Sequence, residues 1–312
     1  MGVIAITGSS SYIGVNLVDH LARCEDDTLH LLEHRKRLAG RQDNGQVKIA
    51  RGDLLESGSL EDFLEQGCTV VNLAYLAGDS LERNMAAIDN LIEACTRARV
   101  RRLVHCSTAV VAGRVPVDRV TEDTPVNPLL PYEMTKNAME KRLLRRSAGR
   151  FERVILRPTA VFGNGGRNLV TLAVDLQTGS RARNYLRSCI YQRRRMNLVC
   201  IGTVVSAIAF LVKTPRTVDG EIFIVSDDEH PSNNFRDVET FLMKELGCRA
   251  YQVPPVSVPF FVLKSLLRAA GRTNLNPNLV YDGRKILAFG FEKQLTFSEG
   301  LSLFSEWYRQ KT

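Results

Sequence analysis

Short apolar runs and helical stripes alternate along the first half of the chain. Val3 to Thr7 has the length and composition of a buried strand, and Ile13 to Arg23 reads as a helix with Val15, Leu17, Val18 and Leu21 on its inner side. Leu29 to Glu33, Val47 to Ala50 and Thr69 to Ala74 read as further strands, followed by a helix over Met85 to Ala98 with Ile88, Leu91, Ile92 and Cys95 as its apolar stripe. Leu103 to Ser107 is again a strand, Tyr132 to Arg146 a helix and Val154 to Arg157 a strand. Strands separated by helices pair in parallel through right-handed crossovers, so residues 1–165 are expected to form a doubly wound α/β sheet of the Rossmann type.

The second half is less regular. Asn168 to Gln177 has a helical pattern, and Arg181 to Arg195 is a basic, polar stretch. The longest uncharged run lies between Arg195 and Lys213, and Asn197, Gly202, Thr203 and Ser206 interrupt it. It therefore predicts a strand followed by a helix rather than a membrane span. Ile222 to Val225 is a strand, and Phe235 to Leu246 a helix stopped by Gly247. The pattern predicts a smaller substrate-binding lobe over 166–312, with segments near 197–225 returning to complete the sheet. Such a lobe would cover the carboxyl edge, where open α/β sheets bind ligands.

The chain of 312 residues carries 42 Lys and Arg against 34 Asp and Glu, a net charge of +8. That excess suits an anionic ligand or surface, and equally a solubilising coat. No basic-aromatic motif supports nucleic acid as the partner. Seven scattered cysteines without a Cys-x-x-Cys pair form neither a zinc site nor a disulfide framework, so no metal and a reducing, cytoplasmic setting are expected.

Thr7-Gly8-Ser9-Ser10-Ser11-Tyr12-Ile13-Gly14 joins the first strand to the first helix. Glycines there permit a tight turn and let backbone N–H groups and the helix dipole approach a diphosphate. Glu33 ends the second strand, where an acid accepts hydrogen bonds from ribose hydroxyls and favours NAD. Arg35, Lys36 and Arg37 follow at once and would suit the 2′-phosphate of NADP. Tyr132 and Lys136, four apart, share one helix face, so the ammonium can stabilise a phenolate and lower a pKa that is ordinarily about 10.

These segments resemble the extended short-chain dehydrogenases, in particular the NAD-dependent epimerases and dehydratases. The first loop resembles their Thr-Gly-x-x-Gly-x-x-Gly fingerprint, with Ser11 in place of the middle glycine and expected to narrow the pyrophosphate space. The resemblance implies cofactor contacts at Gly8, Ser11, Tyr12, Ile13 and Gly14. It implies further contacts at Asp53 and Leu54 of Gly52-Asp53-Leu54, at Leu73 and Ala74, at Lys136 and at Pro158 of Arg157-Pro158-Thr159. Ser107-Thr108-Ala109-Val110-Val111-Ala112-Gly113 is similar to the family's hydroxyl-bearing segment, which makes Thr108 the residue that bonds the substrate oxygen and Ser107 its neighbour. The catalytic set implied is Thr108, Tyr132 and Lys136.

Dehydratases of this family carry an Asp-Glu pair after the threonine, whereas Ala109 and Val110 stand here, so elimination of water is not expected. A 4-epimerase of a diphosphate-linked sugar needs only the tyrosine, the hydroxyl and a held cofactor, and an NADP-dependent carbonyl reductase would use the same residues. A non-catalytic dinucleotide-binding protein is a third reading, opposed by the intact Thr108, Tyr132 and Lys136.

The resemblance places substrate contacts at Ser107, Thr108 and Asn168. Arg193 and Arg195, in a run with Arg181, Arg183, Arg187 and Arg194, have the fork-shaped groups that suit a diphosphate. The family's usual Val-Asp after this run is replaced by Ile201-Gly202. Val258 to Arg268 is apolar with basic punctuation. It reads as a buried cap helix, and alternatively as a membrane-interface segment similar to epimerases acting on polyprenyl diphosphate sugars. The family often pairs as a homodimer through helices like those at Met85 and Tyr132.

Overall fold

The structure is a computed structural model, and it describes residues 2–23, 27–34, 43, 45–269, 271 and 276–311. The chain divides into two compact units. The first comprises Met1–Thr108, Pro131–Arg157 and Val205–Phe223; the second comprises Ala109–Leu130, Pro158–Val204 and Ile224–Thr312. The sheet-bearing unit is thus assembled from three stretches of the chain.

Seven strands build the main sheet: β1 (Val3–Thr7), β2 (Thr28–Glu33), β3 (Val47–Arg51), β4 (Thr69–Asn72), β5 (Arg102–Cys106), β6 (Glu152–Pro158) and β7 (Glu221–Val225). Their order is β7-β6-β5-β4-β1-β2-β3. Pairing is parallel from β3 through to β6, with Ile4 opposite Leu29 on one side and Thr69 on the other. The strand order reverses between β1 and β4, which in an open α/β sheet is where a dinucleotide binds.

Helices α1 (Tyr12–Leu21), α2 (Leu81–Arg97) and α3 (Pro131–Arg146) supply the covering layers of this unit. Ala5, Val70, Leu103 and Ile155 of the sheet pack with Ile88, Leu91, Ile92, Met139 and Leu143 in one continuous core. Each such side chain, fully buried, stabilises by about 1.5–3 kcal/mol before chain entropy is counted. At the opposite end of β5 the buried Arg102 pairs with Glu152 at 2.6 Å and donates to the carbonyls of Leu211, Thr214 and Arg216. Five guanidinium donors cap the chain exit there, so the buried charge is satisfied.

The second unit holds two short parallel pairs, Ala160–Phe162 with Leu198–Cys200 and Arg119–Val120 with Val280–Tyr281. Its helices include α4 (Val170–Thr178), α5 (Arg181–Tyr191), α7 (Phe235–Glu245), α8 (Phe260–Ala269), α9 (Arg284–Ala288) and α10 (Phe297–Lys311), while α6 (Ile201–Lys213) runs on into the first unit. The strand and helix expected between Arg195 and Lys213 are Leu198–Cys200 and α6.

Gly202 opens α6 in place of the family's aspartate, and the neighbouring backbone is held from elsewhere. Cys200 N–H donates to Asp227 Oδ2 at 3.0 Å, and Lys293 Nζ pairs with Asp227 Oδ1 at 2.7 Å. Asp228 accepts from Asn197 Nδ2, Asn233 Nδ2 and Tyr281 N, and burial pushes its carboxyl up to about 6.

Two expectations change. The basic stretch Arg181 to Arg195 is largely a helix, because its inward residues are Asn184, Ser188 and Cys189, a small polar face that leaves no apolar stripe to read. The segment Val258 to Arg268 is only half buried: Leu263 and Leu267 are inside, whereas Phe261, Lys264, Leu266 and Arg268 are exposed. No helix among the described residues is long and apolar enough to cross a membrane. No cluster of three metal-ligating side chains occurs among the described residues.

Candidate active site

The loop after β1 is shaped by two glycines. Gly8 has φ +67°, and a Cβ there would lie 2.8 Å from Ala74 N, so the β1 loop and the end of β4 touch backbone to backbone. A Cβ on Gly14 would meet Gly8 O at 2.3 Å. Ser11 occupies an ordinary extended conformation, φ −73°, so the missing glycine is not required for the turn. Its hydroxyl accepts from Gly14 N at 3.1 Å and caps α1. Ser11→Ala is expected to lower stability by about 1 kcal/mol, and Ser11→Gly by only a few tenths, in denaturant titrations.

Tyr12 and Ile13 form the first turn of α1 and are half-buried. Glu33 is buried at the end of β2, and its carbonyl accepts from Gly52 N at 3.0 Å, which sets the β3 exit beside it. Asp53 Oδ1 accepts from Leu55 N at 2.9 Å, while Oδ2 pairs with His34 Nε2 at 3.2 Å. Leu54 is buried, and its carbonyl accepts from Asn90 Nδ2. Leu73 N–H donates to Thr7 O at 3.2 Å. Arg35, Lys36 and Arg37 lie outside the described residues.

Two residues without an assigned role in the sequence reading, Asn72 and His105, organise this floor. Asn72 Oδ1 accepts from Thr7 Oγ1 at 2.6 Å and from Ala74 N at 3.2 Å, and its amide donates to His105 Nδ1 at 3.0 Å. Their only sequence signal is polarity inside strands that are otherwise apolar. Burial, with Lys136 adding repulsion, holds His105 down to about 3, so the imidazole is neutral. The unfolded chain therefore binds that proton first. The stability this contributes is complete above about pH 6.5 and is lost as pH falls toward 3. A loss of about 2 kcal/mol by about pH 5 is expected from this group, and His105→Asn should flatten that part of the profile.

On α3, Tyr132 and Lys136 face the end of β5. The Thr108 hydroxyl hydrogen-bonds the Tyr132 phenol. The Tyr132 ring also meets Tyr75 edge-on, centroids 5.1 Å apart. Lys136 is buried, its Nζ donating to Cys106 O at 3.1 Å and lying 5.1 Å from the Tyr75 ring centroid. Burial lowers its pKa.

The surroundings of the Tyr132 phenol shift its pKa. Burial first, then Cys106 and Tyr75, pushes it up to about 12 against the lowering hydrogen bond from Thr108. Because Tyr132 is 41% exposed, solvent tempers the size of this shift but not its sign. Ser107 is buried beside Thr108, and its Oγ finds no hydrogen-bond partner among the described residues. Behind Lys136, one turn further on, Glu140 binds Arg157 through two contacts of 3.0 and 2.6 Å, both groups buried.

The remaining predicted residues belong to the second unit. Pro158 ends β6. Asn168 Nδ2 donates to Val161 O at 2.7 Å, and Arg195 Nη1 donates to His230 O at 3.1 Å. Arg193 is exposed and lies 3.9 Å from Asp237. Much of the arginine run is already engaged, since Arg183 and Arg187 both pair with Asp175 and Arg181 donates to Ala250 O.

The model of the NAD dependent epimerase/dehydratase family matches residues 4–226. The chain belongs to that family. The donor set at the glycine turn and the N-terminus of α1, backbone N–H groups at the positive end of a helix, fits the diphosphate of the family's NAD. A UDP-glucose 4-epimerase of Vibrio cholerae is 27% identical over 296 residues, covering 87% of this chain and 83% of that protein. The low-salt glycan biosynthesis protein Agl12 of Haloferax volcanii is 27% identical over 148 residues, and there the match spans only 48% of the relative. Among solved structures, a UDP-glucuronic acid 4-epimerase from Bacillus cereus in complex with NAD superposes with a TM-score of 0.73. The identity is 18%, over 100% of this chain and 99% of the other. This is an enzyme family of the extended short-chain dehydrogenase type, and the seven-stranded sheet is its fold.

Proposed function

We propose that this protein is an NAD-dependent 4-epimerase of a diphosphate-linked sugar. The observation that carries the reading is the Thr108–Tyr132 hydroxyl pair beside the buried Lys136, followed in sequence by Ala109 and Val110, which have no titratable group with which to expel water. The named 4-epimerases among its relatives favour the same reaction.

When bound, NAD supplies the hydride acceptor and donor. Tyr132 takes the proton of the sugar hydroxyl as the carbon is oxidised, and returns it after the keto sugar has presented its other face. Thr108 polarises the same oxygen. The phenol, held high by burial, requires positive charge near it to act as a base. Lys136, four residues further along α3, is the group proposed to supply it, together with an oxidised nicotinamide. Asn168, Arg193 and Arg195 are the groups proposed for the diphosphate and sugar, and Glu33 and Asp53 those proposed for the adenosine.

The test is incubation with a panel of UDP- and dTDP-sugars, with no coenzyme added, followed by chromatographic separation of epimers. Epimer formation with nicotinamide nucleotide retained in the protein is expected. Consumption of added NADPH without epimers would replace this reading by the reductase, and loss of water from the sugar would replace it by a dehydratase.

A further inference from the structure

The four most exposed large apolar side chains among the described residues fall in one part of the second unit. They are Phe261 at 70%, Val256 at 65%, Val253 at 59% and Leu186 at 57%. The segment that carries Val253 and Val256 is strapped along α5 and α7. Arg181 donates to Ala250 O, Tyr185 to Pro254 O, Arg236 to Pro255 O and Gln192 to Val258 O. It leads into α8, which packs against α5. Burial of Leu263 and Leu267 turns the opposite stripe of α8 outward, and that stripe reads Phe261, Lys264, Ser265 and Arg268. Apolar tips and cationic heads therefore share one face.

The charge of α5, α8 and the segment that leads into α8 is one-sided, the acids nearby being Asp175, paired with Arg183 and Arg187, and those of α7. Residues 176–218, which include α5, and residues 246–281, which include α8, contain no aspartate or glutamate at all. Arg249, Lys264 and Arg268 are exposed and have no ion pair among the described residues. A partner for this face must accept a bulky apolar insertion and carry negative charge. A nucleic acid meets the second requirement but only Phe261 could stack on a base, which leaves Val253, Val256 and Leu186 without an apolar partner. An apolar protein groove meets the first without the second. An anionic bilayer meets both: Phe261, Val253 and Val256 would enter the acyl boundary, while Lys264 and Arg268 extend to headgroup phosphates.

We infer that the α5–α8 face is a peripheral docking surface for an anionic membrane. The inference goes beyond the sugar chemistry and does not depend on it. Its test is co-sedimentation of the full chain with vesicles of phosphatidylcholine alone and with phosphatidylglycerol added, at low and high salt, with short RNA as a competitor.

Binding is expected only to the anionic vesicles and should weaken as salt rises. The double variant Phe261→Asp/Val256→Asp should bind about tenfold more weakly or worse. Lys264→Glu/Arg268→Glu should lose the preference for anionic lipid. All four side chains are exposed, so folding and nicotinamide binding should match the parent protein and serve as controls. Equal binding to neutral vesicles, no binding, undiminished binding by either variant, or preferential capture of RNA would each overturn the inference. So would a concentration-dependent dimer that Phe261→Asp dissolves, since the face would then belong to a second copy.

Discussion

Replacing Tyr132 by phenylalanine is expected to lower epimerisation turnover by about 10²- to 10⁴-fold, the usual worth of a positioned acid–base group. The protein should remain folded and should keep its nicotinamide nucleotide. Phenylalanine retains the ring that meets Tyr75 at 5.1 Å and removes only the oxygen bonded by Thr108. Turnover and the nucleotide released on denaturation should be measured on the same preparation. A variant that keeps more than about a tenth of the parent rate would remove Tyr132 from the chemistry. A loss of bound nucleotide would instead indicate a structural role for the phenol.

Removing one partner of the Glu140–Arg157 pair should have the largest effect on stability. Both side chains are buried and joined by two hydrogen bonds, so Arg157→Met strands a carboxylate away from water. A cost of about 3–5 kcal/mol is expected, read from denaturant midpoints. Glu140→Leu combined with Arg157→Met should recover much of it, because the double change removes both charges rather than isolating one. The pair sits one turn beyond Lys136 on α3, so the single variant should also disturb the tyrosine helix. Equal losses in the single and double variants would show that packing, not the stranded charge, sets the cost.

Much of the first unit was legible because its strands are buried on both faces and its helices on one. That burial forces apolar runs and 3.6-residue stripes into the sequence at Val3–Thr7, Leu103–Cys106 and Ile88–Cys95. The glycine loop and the Tyr132–Lys136 spacing were legible for a related reason. Close backbone approach admits only glycine at position 8, and two groups four apart share a helix face. Helix α5 was not legible, since it buries Asn184 and Ser188, and polar burial leaves no hydropathy signal. The internal pairing of the arginine run through Asp175 could not be read either, because residues 8 and 12 apart in sequence meet only once α4 and α5 pack.

The sequence by itself determined the doubly wound fold, the place of the glycine turn after β1 and the shared helix face of Tyr132 and Lys136. These follow from local rules of periodicity, backbone permission and helical spacing. The electrostatics of those groups were decided only by tertiary structure. Lys136 is directed to Cys106 O, His105 is kept neutral by burial, and burial raises the Tyr132 phenol. A pKa depends on desolvation and on charges brought near from distant segments, and neither is written in the spacing of residues along a chain. The same holds for the apolar tips of α8. Residues of one hydropathy were sorted into buried Leu263 and exposed Phe261 by which face of the helix found a neighbour.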